Sequence, residues 1–275
     1  MKPAPFDYVA ATEMGEALEA LHQGGTEARV IAGGQSLMPM LNMRLARPAT
    51  LVDITRIPEL SRIEAKGDNV TIGAAVRQST LERWPDLADR VPLVRAALPW
   101  VGHTQLRNRG TVCGSVAHAD PSAELPLCLI ALGGTVTLRR RRKTRAVAAR
   151  DFFQGMMSTD LAPGEMITSV TFPAHKTGTG YAFREVARRH GDFAIVACAA
   201  IARPDGTATL SVGGVADTPR TLDLPADAQG LDERLNEFAW HLQARDDLHA
   251  TARYRRDLVR QLGRATLKEA LSCRD

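Results

Sequence analysis

The stretch Arg29-Val30-Ile31-Ala32-Gly33-Gly34-Gln35-Ser36-Leu37 decides how the N-terminal part of the chain folds. Val30 and Ile31 are β-branched residues typical of a strand, and Leu37 opens a segment that is compatible with a helix. Glycine lets a backbone approach an anion closely, while free N–H groups and a serine hydroxyl supply hydrogen-bond donors. This first glycine segment, Ala32–Ser36, therefore suits a phosphate group.

A second glycine segment, Thr111-Val112-Cys113-Gly114-Ser115, lies downstream and is followed by Ala117-His118-Ala119-Asp120-Pro121. Two such segments on one chain suit the two ends of a dinucleotide. The standard fingerprints G-x-G-x-x-G and G-x-x-x-x-G-K-[ST] are both absent, however. A Gly-Gly pair after a strand is by itself more often a plain turn. The order and the flanking residues of the two segments therefore have to distinguish a dinucleotide site from two plain turns.

The composition restricts the class of protein. The 275 residues exceed the usual size of one domain, which predicts two domains or three small ones. A net charge of +4, from 35 basic and 31 acidic residues, is too even to indicate a nucleic-acid partner. No apolar stretch approaches the roughly 20 residues that a membrane-spanning helix needs, so a soluble protein without a membrane span is expected.

The four cysteines, Cys113, Cys128, Cys198 and Cys273, are too far apart for a C-x-x-C metal or cluster motif. No secretory signal precedes them, which predicts reduced thiols and a cytoplasmic location. His118 and Asp120 have the spacing of a metal pair, but no third ligand is evident, so no metal site is predicted.

The hydrophobic pattern divides the N-terminal part into two units, residues 1–57 and 58–176. In the first unit, Thr12 is predicted to cap a helix that Gly24-Gly25 ends, and strands flank the first glycine segment. The second unit is predicted to hold short strands, three helices, a hairpin and a closing strand. The basic run Arg139–Lys143 is interpreted as the solvated tip of that hairpin, because no aromatic residues are interleaved for base stacking.

The C-terminal unit, residues 177–275, follows a stretch with the proline and glycine content of a linker. It is predicted to contain three alternating strands and then two helices. The predicted ranges are 181–186, 195–202 and 207–215 for the strands, and about 228–248 and 251–271 for the helices. The expected fold is α+β, a two-part α/β domain followed by a small three-stranded antiparallel sheet with helices.

Taken together, the two segments and their flanks resemble the flavoprotein (medium) subunit of the molybdenum hydroxylases, the family that includes carbon monoxide dehydrogenase and xanthine dehydrogenase. The resembling pieces are residues 29–37, 107–115, 119–126 and 188–194, and they follow the family's order across nearly the whole chain. One departure is that the second segment commonly reads T-x-G-G-[NS], whereas Cys113 replaces the first of those glycines. With no activating neighbour in sequence, Cys113 is predicted to have a structural role.

The resemblance implies a PCMH-type FAD-binding domain, with FAD as the cofactor of this chain. The glycine segments would contact its pyrophosphate and ribityl groups, Glu124 would accept hydrogen bonds from ribityl hydroxyls, and Leu161 would pack beside the flavin or adenine. Arg184 stands where relatives often have lysine. Phe193 is either an aromatic face near the isoalloxazine or a core residue at the start of a strand. The implied FAD-binding residues are Arg29, Ala32, Gly33, Gly34, Gln35, Ser36, Thr111, Val112, Cys113, Gly114, Ser115, Ala117, Asp120, Glu124, Leu161, Arg184 and Phe193.

The sequence contains no set of cluster-binding cysteines and nothing that resembles a molybdopterin site. The resemblance therefore implies one link of a heterotrimer, with a large molybdenum-binding subunit and a small iron–sulfur subunit, in a dimer of heterotrimers. Molybdopterin and [2Fe-2S] clusters would reside in the partners, and this chain would carry electrons from them through FAD to an external acceptor. Because the flavin itself carries the electrons, no catalytic side chain is expected here.

Two other functions stay open at this point. One is a solo FAD-dependent oxidoreductase with its own substrate, and the other is a non-redox nucleotide-binding scaffold. The sequence does not identify the substrate of the complex among carbon monoxide, purines and aromatic N-heterocycles, although family prevalence mildly favours the heterocycles. It does not identify the electron acceptor either.

Overall fold

A computed structural model describes residues 2–226 and 229–274 of the chain. Its strands are β1 Asp7–Ala10, β2 Ala28–Ile31, β3 Thr50–Asp53, β4 Ile63–Lys66, β5 Asn69–Gly73, β6 Thr135–Arg140, β7 Lys143–Ala148, β8 Phe153–Gly155, β9 Ser158–Thr159, β10 Met166–Pro173, β11 Gly180–Val186, β12 Val196–Ala202, β13 Ala208–Gly213 and β14 Arg220–Leu224. Its helices are α1 Met14–Gly24, α2 Leu37–Asn42, α3 Gln78–Glu82, α4 Leu87–Arg90, α5 Pro92–Ala97, α6 Thr104–Arg107, α7 Val112–His118, α8 Glu124–Ala131, α9 Ala149–Phe152, α10 Leu231–His241 and α11 Ala252–Ser272.

The N-terminal sheet is parallel, in the order β1-β3-β2, and it matches the predicted β-α-β unit. Helix α1 buries an apolar stripe against it and ends where predicted, with Gly25 at φ +52°. The predicted cap was wrong, because the helix begins at Met14 with Glu13 at the N-cap. The backbone N–H of Thr12 instead donates to Glu16 Oε2 at 2.9 Å, so the Glu16 carboxylate satisfies that donor.

The central sheet is antiparallel and has the strand order β4-β5-β10-β6-β7. Helices α5, α7 and α8 bury their apolar residues in a core that this sheet shares with the parallel one, and Val52, Ile72, Leu125 and Phe172 belong to it. The predicted basic hairpin is formed by β6 and β7. Two of its arginines form ion pairs: Arg141 contacts Glu19 at 3.0 Å, and Arg145 contacts Glu165 at 2.6 Å.

The C-terminal sheet is an antiparallel meander in the order β11-β12-β13-β14, so the prediction of three strands was wrong. The missed strand β14 is a mostly exposed edge strand with the sequence Arg-Thr-Leu-Asp-Leu, whose polar residues gave no strand signal. Helix α10 is shorter than the predicted 228–248, and residue 228 lies outside the described residues. It ends before a turn in which the Asp247 carboxylate accepts the N–H groups of His249 and Ala250.

The two faces of the C-terminal sheet have different neighbours. Ala182 and Cys198 pack with α10 and α11 in a separate core, whereas Phe183 and Ala199 join the large N-terminal core. Because side chains alternate along a strand, each residue of β11 faces either the helices or the N-terminal part. Among the described helices, none has the length and apolarity needed to cross a membrane.

Candidate functional site

The first glycine segment connects the end of β2 to α2 and presents unpaired backbone donors. Gly34 has φ +71°, a conformation that favours glycine, and its carbonyl accepts the Met38 N–H at 2.9 Å. Gln35 Nε2 donates to the Gly33 carbonyl at 3.0 Å, which folds the segment on itself. Within the described part of the chain, the backbone N–H groups of residues 33–36 donate to no protein acceptor. This arrangement suits an anion.

The two glycine segments meet at Gly33. A Cβ at that position would overlap the Arg109 carbonyl oxygen and would lie 2.7 Å from the Cα of Gly110. We predicted that Gly33 leaves room for a phosphate. The space beside its Cα is instead occupied by Arg109 and Gly110, the two residues that precede the second segment. Two backbone hydrogen bonds hold residues 110–112 in place. Gln78 N–H donates to the Gly110 carbonyl at 2.8 Å, and Val112 N–H donates to the Val76 carbonyl at 3.1 Å.

The second glycine segment is the beginning of a helix. Thr111 is the N-cap of α7, and its Oγ1 accepts the Gly114 N–H at 3.0 Å. Cys113 is helical and buried, and its Sγ donates to the Ile72 carbonyl at 3.5 Å. Burial raises the pKa of the Cys113 thiol to about 12, so the thiol is unreactive. The Cys113 side chain therefore belongs to the core, as predicted.

Two carboxyl groups follow the second segment. Ala119, with φ +53°, is the C-cap that follows α7, and Asp120 Oδ1 then accepts the Ser122 N–H at 2.8 Å. Glu124 begins α8 and is buried. Burial, with a smaller contribution from the Asp120 charge, raises the pKa of Glu124 to about 7. Among the described residues, no ion pair involves Glu124.

An open cleft of about 540 Å³ separates Pro121-Ser122 from the segment between β11 and β12. Phe193 lines this cleft and is 62% exposed, so it is not the core aromatic that the alternative interpretation described. Its segment rests on the N-terminal part of the chain. A Cβ at Gly191, which has φ +87°, would lie 2.8 Å from His103 Cε1.

The other predicted residues are more scattered. Ala117 is exposed on α7, Arg29 is exposed on β2, and Leu161 is half-buried against the large core. Arg184 is not brought to the glycine segments, because its Nε donates to Glu269 Oε2 of α11 at 2.6 Å. That contact places Arg184 on the helix-covered face of the C-terminal sheet.

Sequence reasoning missed Glu185, the next residue of β11, which is buried among groups of the N-terminal part. The alternation of a strand already implies that residues 184 and 185 face opposite sides. A check of that alternation could therefore have found Glu185. The contact between Gly33 and Arg109 had no such signal, because it joins residues far apart in the sequence.

Comparisons with known proteins establish the class. Residues 4–175 match the family described as the FAD binding domain in molybdopterin dehydrogenase, and residues 181–270 match the CO dehydrogenase flavoprotein C-terminal domain. The chain therefore belongs to the FAD-binding (medium) subunit family of the molybdenum hydroxylases. It is the flavoprotein component of an oxidoreductase, as the resemblance implied.

Individual relatives match over nearly their whole length. The chain is 36% identical to the 6-hydroxypseudooxynicotine dehydrogenase complex subunit alpha of Paenarthrobacter nicotinovorans, over 98% of this chain and 96% of the relative. It is also 36% identical to the nicotine 6-hydroxylase medium subunit of that organism, over 98% and 99% of the two chains. A solved structure of carbon monoxide dehydrogenase from Hydrogenophaga pseudoflava, which lacks the Mo-pyranopterin moiety, aligns with a TM-score of 0.94 at 32% identity and covers 100% of both chains.

Proposed function

We propose that this chain receives electrons from an iron–sulfur partner and passes them through FAD to an external acceptor. The observation that carries this proposal is the contact of Gly33, in the first glycine segment, with Arg109 and Gly110 directly before the second. FAD, when bound, supplies the two-electron chemistry through its isoalloxazine ring. The side chains of this protein then have to bind and orient the cofactor and exclude water from it.

The proposed binding roles follow from the donors and acceptors that the fold leaves free. The N–H groups of residues 33–36 and the Ser36 hydroxyl would hold the pyrophosphate, since they have no protein acceptor within the described residues. The backbone at the start of α7, from Thr111 to Ser115, would complete that cradle. Glu124 and Asp120 would accept hydrogen bonds from hydroxyl groups of the cofactor.

The remaining contacts are apolar or peripheral. Phe193 would cover the ring system from the cleft, and Leu161 would pack beside it. Arg29 and Ala117 would lie at the rim of the site. Arg184 lies outside the proposed site, because it forms an ion pair with Glu269 on the helix-covered face of β11.

We further propose an assembly with a large molybdenum-binding subunit and a small iron–sulfur subunit, in a cytoplasmic dimer of heterotrimers. The described residues contain no group of three or more side chains arranged to hold a metal ion, so the molybdenum and iron centres are assigned to the partners. The proposed units of this chain are residues 1–57, 58–176 and 177–275.

For the substrate of the complex we propose an aromatic N-heterocycle. Two relatives that match over nearly their full length carry names that refer to nicotine or a nicotine-derived compound. The substrate would bind the molybdenum subunit, so this proposal concerns the complex and not a pocket of this chain.

Cofactor analysis tests the proposed function directly. The complex, purified without denaturation, should contain molybdenum, iron and a flavin, and acid extraction should release FAD and not FMN. Two separate backbone cradles exceed what one monophosphate requires. A flavin without molybdenum or iron would favour the solo oxidoreductase, and a folded chain that takes up no flavin would favour the scaffold.

A further inference from the structure

Arg255 lies near the start of α11 and is buried, with 5% of its surface exposed. Its Nη1 donates to the Ile195 carbonyl at 2.7 Å and to the Gly214 carbonyl at 2.6 Å. Its Nη2 forms an ion pair with the Asp247 carboxylate. A buried charge is costly unless it is paired and hydrogen-bonded, and these three partners supply that pairing. Arg255 therefore joins three separate segments of the C-terminal unit.

Both carbonyl groups belong to residues that line the open cleft beside Phe193. Ile195 follows Phe193 by two residues, and its N–H donates to the Val186 carbonyl at the end of β11 at 2.8 Å. Gly214 follows β13, and its N–H donates to the carbonyl of Pro121, on the opposite wall of the cleft, at 2.8 Å. One guanidinium group is therefore hydrogen-bonded both to the segment that carries Phe193 and to the residue that binds Pro121.

The two backbone segments that Arg255 binds are in close contact. Gly214 has φ +82°, and a Cβ at that position would lie 2.9 Å from the carbonyl oxygens of both Ala194 and Ile195. Within the part of the chain that the structure describes, no donor other than Arg255 reaches the Ile195 or the Gly214 carbonyl oxygen. Without the guanidinium, two carbonyl oxygens that converge on one nitrogen would lose their partner, which costs free energy. The relative position of the two segments therefore depends on Arg255.

We propose that Arg255 is a positioning residue, which holds the Phe193 segment and Pro121–Ser122 at a fixed separation across the cleft. This inference rests on the proposed function, in which Phe193 covers the ring system of FAD. Arg255 acts through the two carbonyl groups, and Asp247 fixes the orientation of its guanidinium. The other oxygen of Asp247 accepts two backbone N–H groups of the turn before α11, so this turn belongs to the same hydrogen-bonded unit.

A merely stabilising role of Arg255 makes a different prediction. If Arg255 only stabilised α11, its loss would weaken the C-terminal unit evenly, as the loss of a core side chain does. Val259 is such a side chain, because it lies one turn further along α11 and is fully buried in the C-terminal core. If Arg255 positions the cleft walls, its loss should loosen the ends of β12 and β13 at the cleft and leave the middle of both strands protected. Val259→Ala is therefore the matched control for Arg255→Met.

The first arm of the test measures amide hydrogen exchange by mass spectrometry in the flavin-free full-length chain. In Arg255→Met, exchange in peptides that cover residues 192–196 and 213–216 should become faster by about tenfold or more, relative to peptides from the middle of β12 and β13. In Val259→Ala, exchange should rise by a similar factor in both kinds of peptide. The ratio between the two kinds of peptide is insensitive to an even loss of stability, so it reports on the cleft walls.

Asp247→Asn repeats this measurement with a milder change. The asparagine keeps the oxygen that accepts the turn N–H groups, and it removes only the charge that faces Arg255. The Asp247 side chain is 47% exposed, so the change leaves the C-terminal core intact. The local exchange ratio should rise by about threefold or more, and this variant decides the first arm if Arg255→Met does not fold.

The second arm measures where residue 193 lies relative to the bound flavin. A tryptophan in van der Waals contact with a flavin quenches the flavin fluorescence by transferring an electron to the excited ring. Phe193→Trp should therefore retain bound flavin and lose most of its fluorescence relative to the wild type. Adding Arg255→Met should restore a large part of the fluorescence at equal flavin occupancy, whereas adding Val259→Ala should not. A merely structural role of Arg255 would leave the quenching unchanged.

An even rise in exchange in Arg255→Met, as in the control, would overturn the proposal while leaving FAD binding intact. Local exchange at the cleft, combined with quenching that persists after the loss of Arg255, would also reject the positioning role. Bound flavin that Phe193→Trp does not quench would show that residue 193 lies away from the ring, which overturns the proposal as well. A wild-type chain that binds no flavin would contradict the proposed function, and the first arm would still decide whether Arg255 holds the two walls.

Discussion

The backbone of Gly33 lies directly against the backbone of Arg109, so two segments more than seventy residues apart are joined without an intervening side chain. Glycine is needed at residue 33 for this approach, whereas Gly34 is needed for its positive φ. The glycines therefore have different roles in one short segment. In the proposed function, contact between the segments would give the cofactor a single continuous binding surface.

Gly33→Ala tests this contact. A methyl group at residue 33 must displace Arg109 or Gly110, which should separate the two segments and lower FAD affinity by more than about tenfold, at a cost in stability of about 1–3 kcal/mol. The flavin-to-protein absorbance ratio after gel filtration and a thermal melt measure the two effects. Gly15→Ala is the control, because a Cβ there contacts nothing within 4 Å. An alanine variant with wild-type affinity would contradict the assignment.

Ser36→Ala and Thr111→Val separate a ligand contact from a helix cap. Ser36 makes no capping bond, so its loss should leave stability unchanged and weaken FAD binding by about 1 kcal/mol, or roughly fivefold. Thr111 caps α7, so its replacement should lower the free energy of unfolding by about 1 kcal/mol. Urea titration and FAD titration of both variants check the contrast. Identical profiles for the two variants would show that the distinction is incorrect.

Arg107→Met should destabilise the packing of α6, the helix that precedes the second glycine segment. The buried guanidinium donates to both Glu82 carboxylate oxygens, at 2.9 and 3.2 Å, and to the Val101 and Gly102 carbonyls, each at 3.1 Å. Removing it should lower the free energy of unfolding by about 3 kcal/mol, measured by urea denaturation, because Glu82 and two carbonyls lose their partner.

Arg150→Met is the control for that measurement. Arg150 is 84% exposed and lies 3.7 Å from Asp151, so its removal should change stability by less than about 0.5 kcal/mol. The double variant Arg107→Met/Glu82→Leu should recover part of the loss, since it leaves no uncompensated carboxylate. Equal losses for Arg107→Met and Arg150→Met would show that burial of the pair is unimportant.

Glu165→Gln should make stability less dependent on acid pH. Glu165 accepts two hydrogen bonds from Arg145, at 2.8 and 2.6 Å, which hold the pKa of its carboxyl below the usual value. The resulting stability is present above about pH 4.5 and is lost as the pH falls through the folded pKa. At pH 7 the variant should be about 1 kcal/mol less stable than the wild type, and melts at lower pH should show the gap closing. A gap that does not narrow at all as the pH is lowered would indicate a cause other than ionisation.

The isolated chain should not oxidise the organic substrate of the complex. In the proposed function, electrons reach the flavin from an iron–sulfur partner. Flavin reduced with dithionite should still be reoxidised by an added acceptor, while turnover should require both partner subunits. Stopped-flow absorbance follows the first reaction, and a product assay with and without partners follows the second. Reduction of the flavin by substrate in the lone chain would favour the solo oxidoreductase.

The sequence by itself determined the order of the elements and the family. The run Val30-Ile31 before Gly33-Gly34 predicted a strand, a turn and a helix, because β-branched residues and glycine have strong local preferences. The order of the glycine segments and of Arg188–Ala194 was enough for the family, which the comparisons confirmed. An edge strand such as β14 has a mostly polar pattern, and local preference alone did not reveal it.

Only the tertiary structure decided which residues share a site. The packing of Gly33 on Arg109 and the pairing of Arg184 with Glu269 join residues that are distant in sequence. Such contacts depend on how sheets and helices stack, and local preferences do not encode that stacking. The sequence therefore indicated which segments could bind a dinucleotide, whereas the fold decided that Arg184 pairs with α11 while Glu185 is buried on the opposite face of β11.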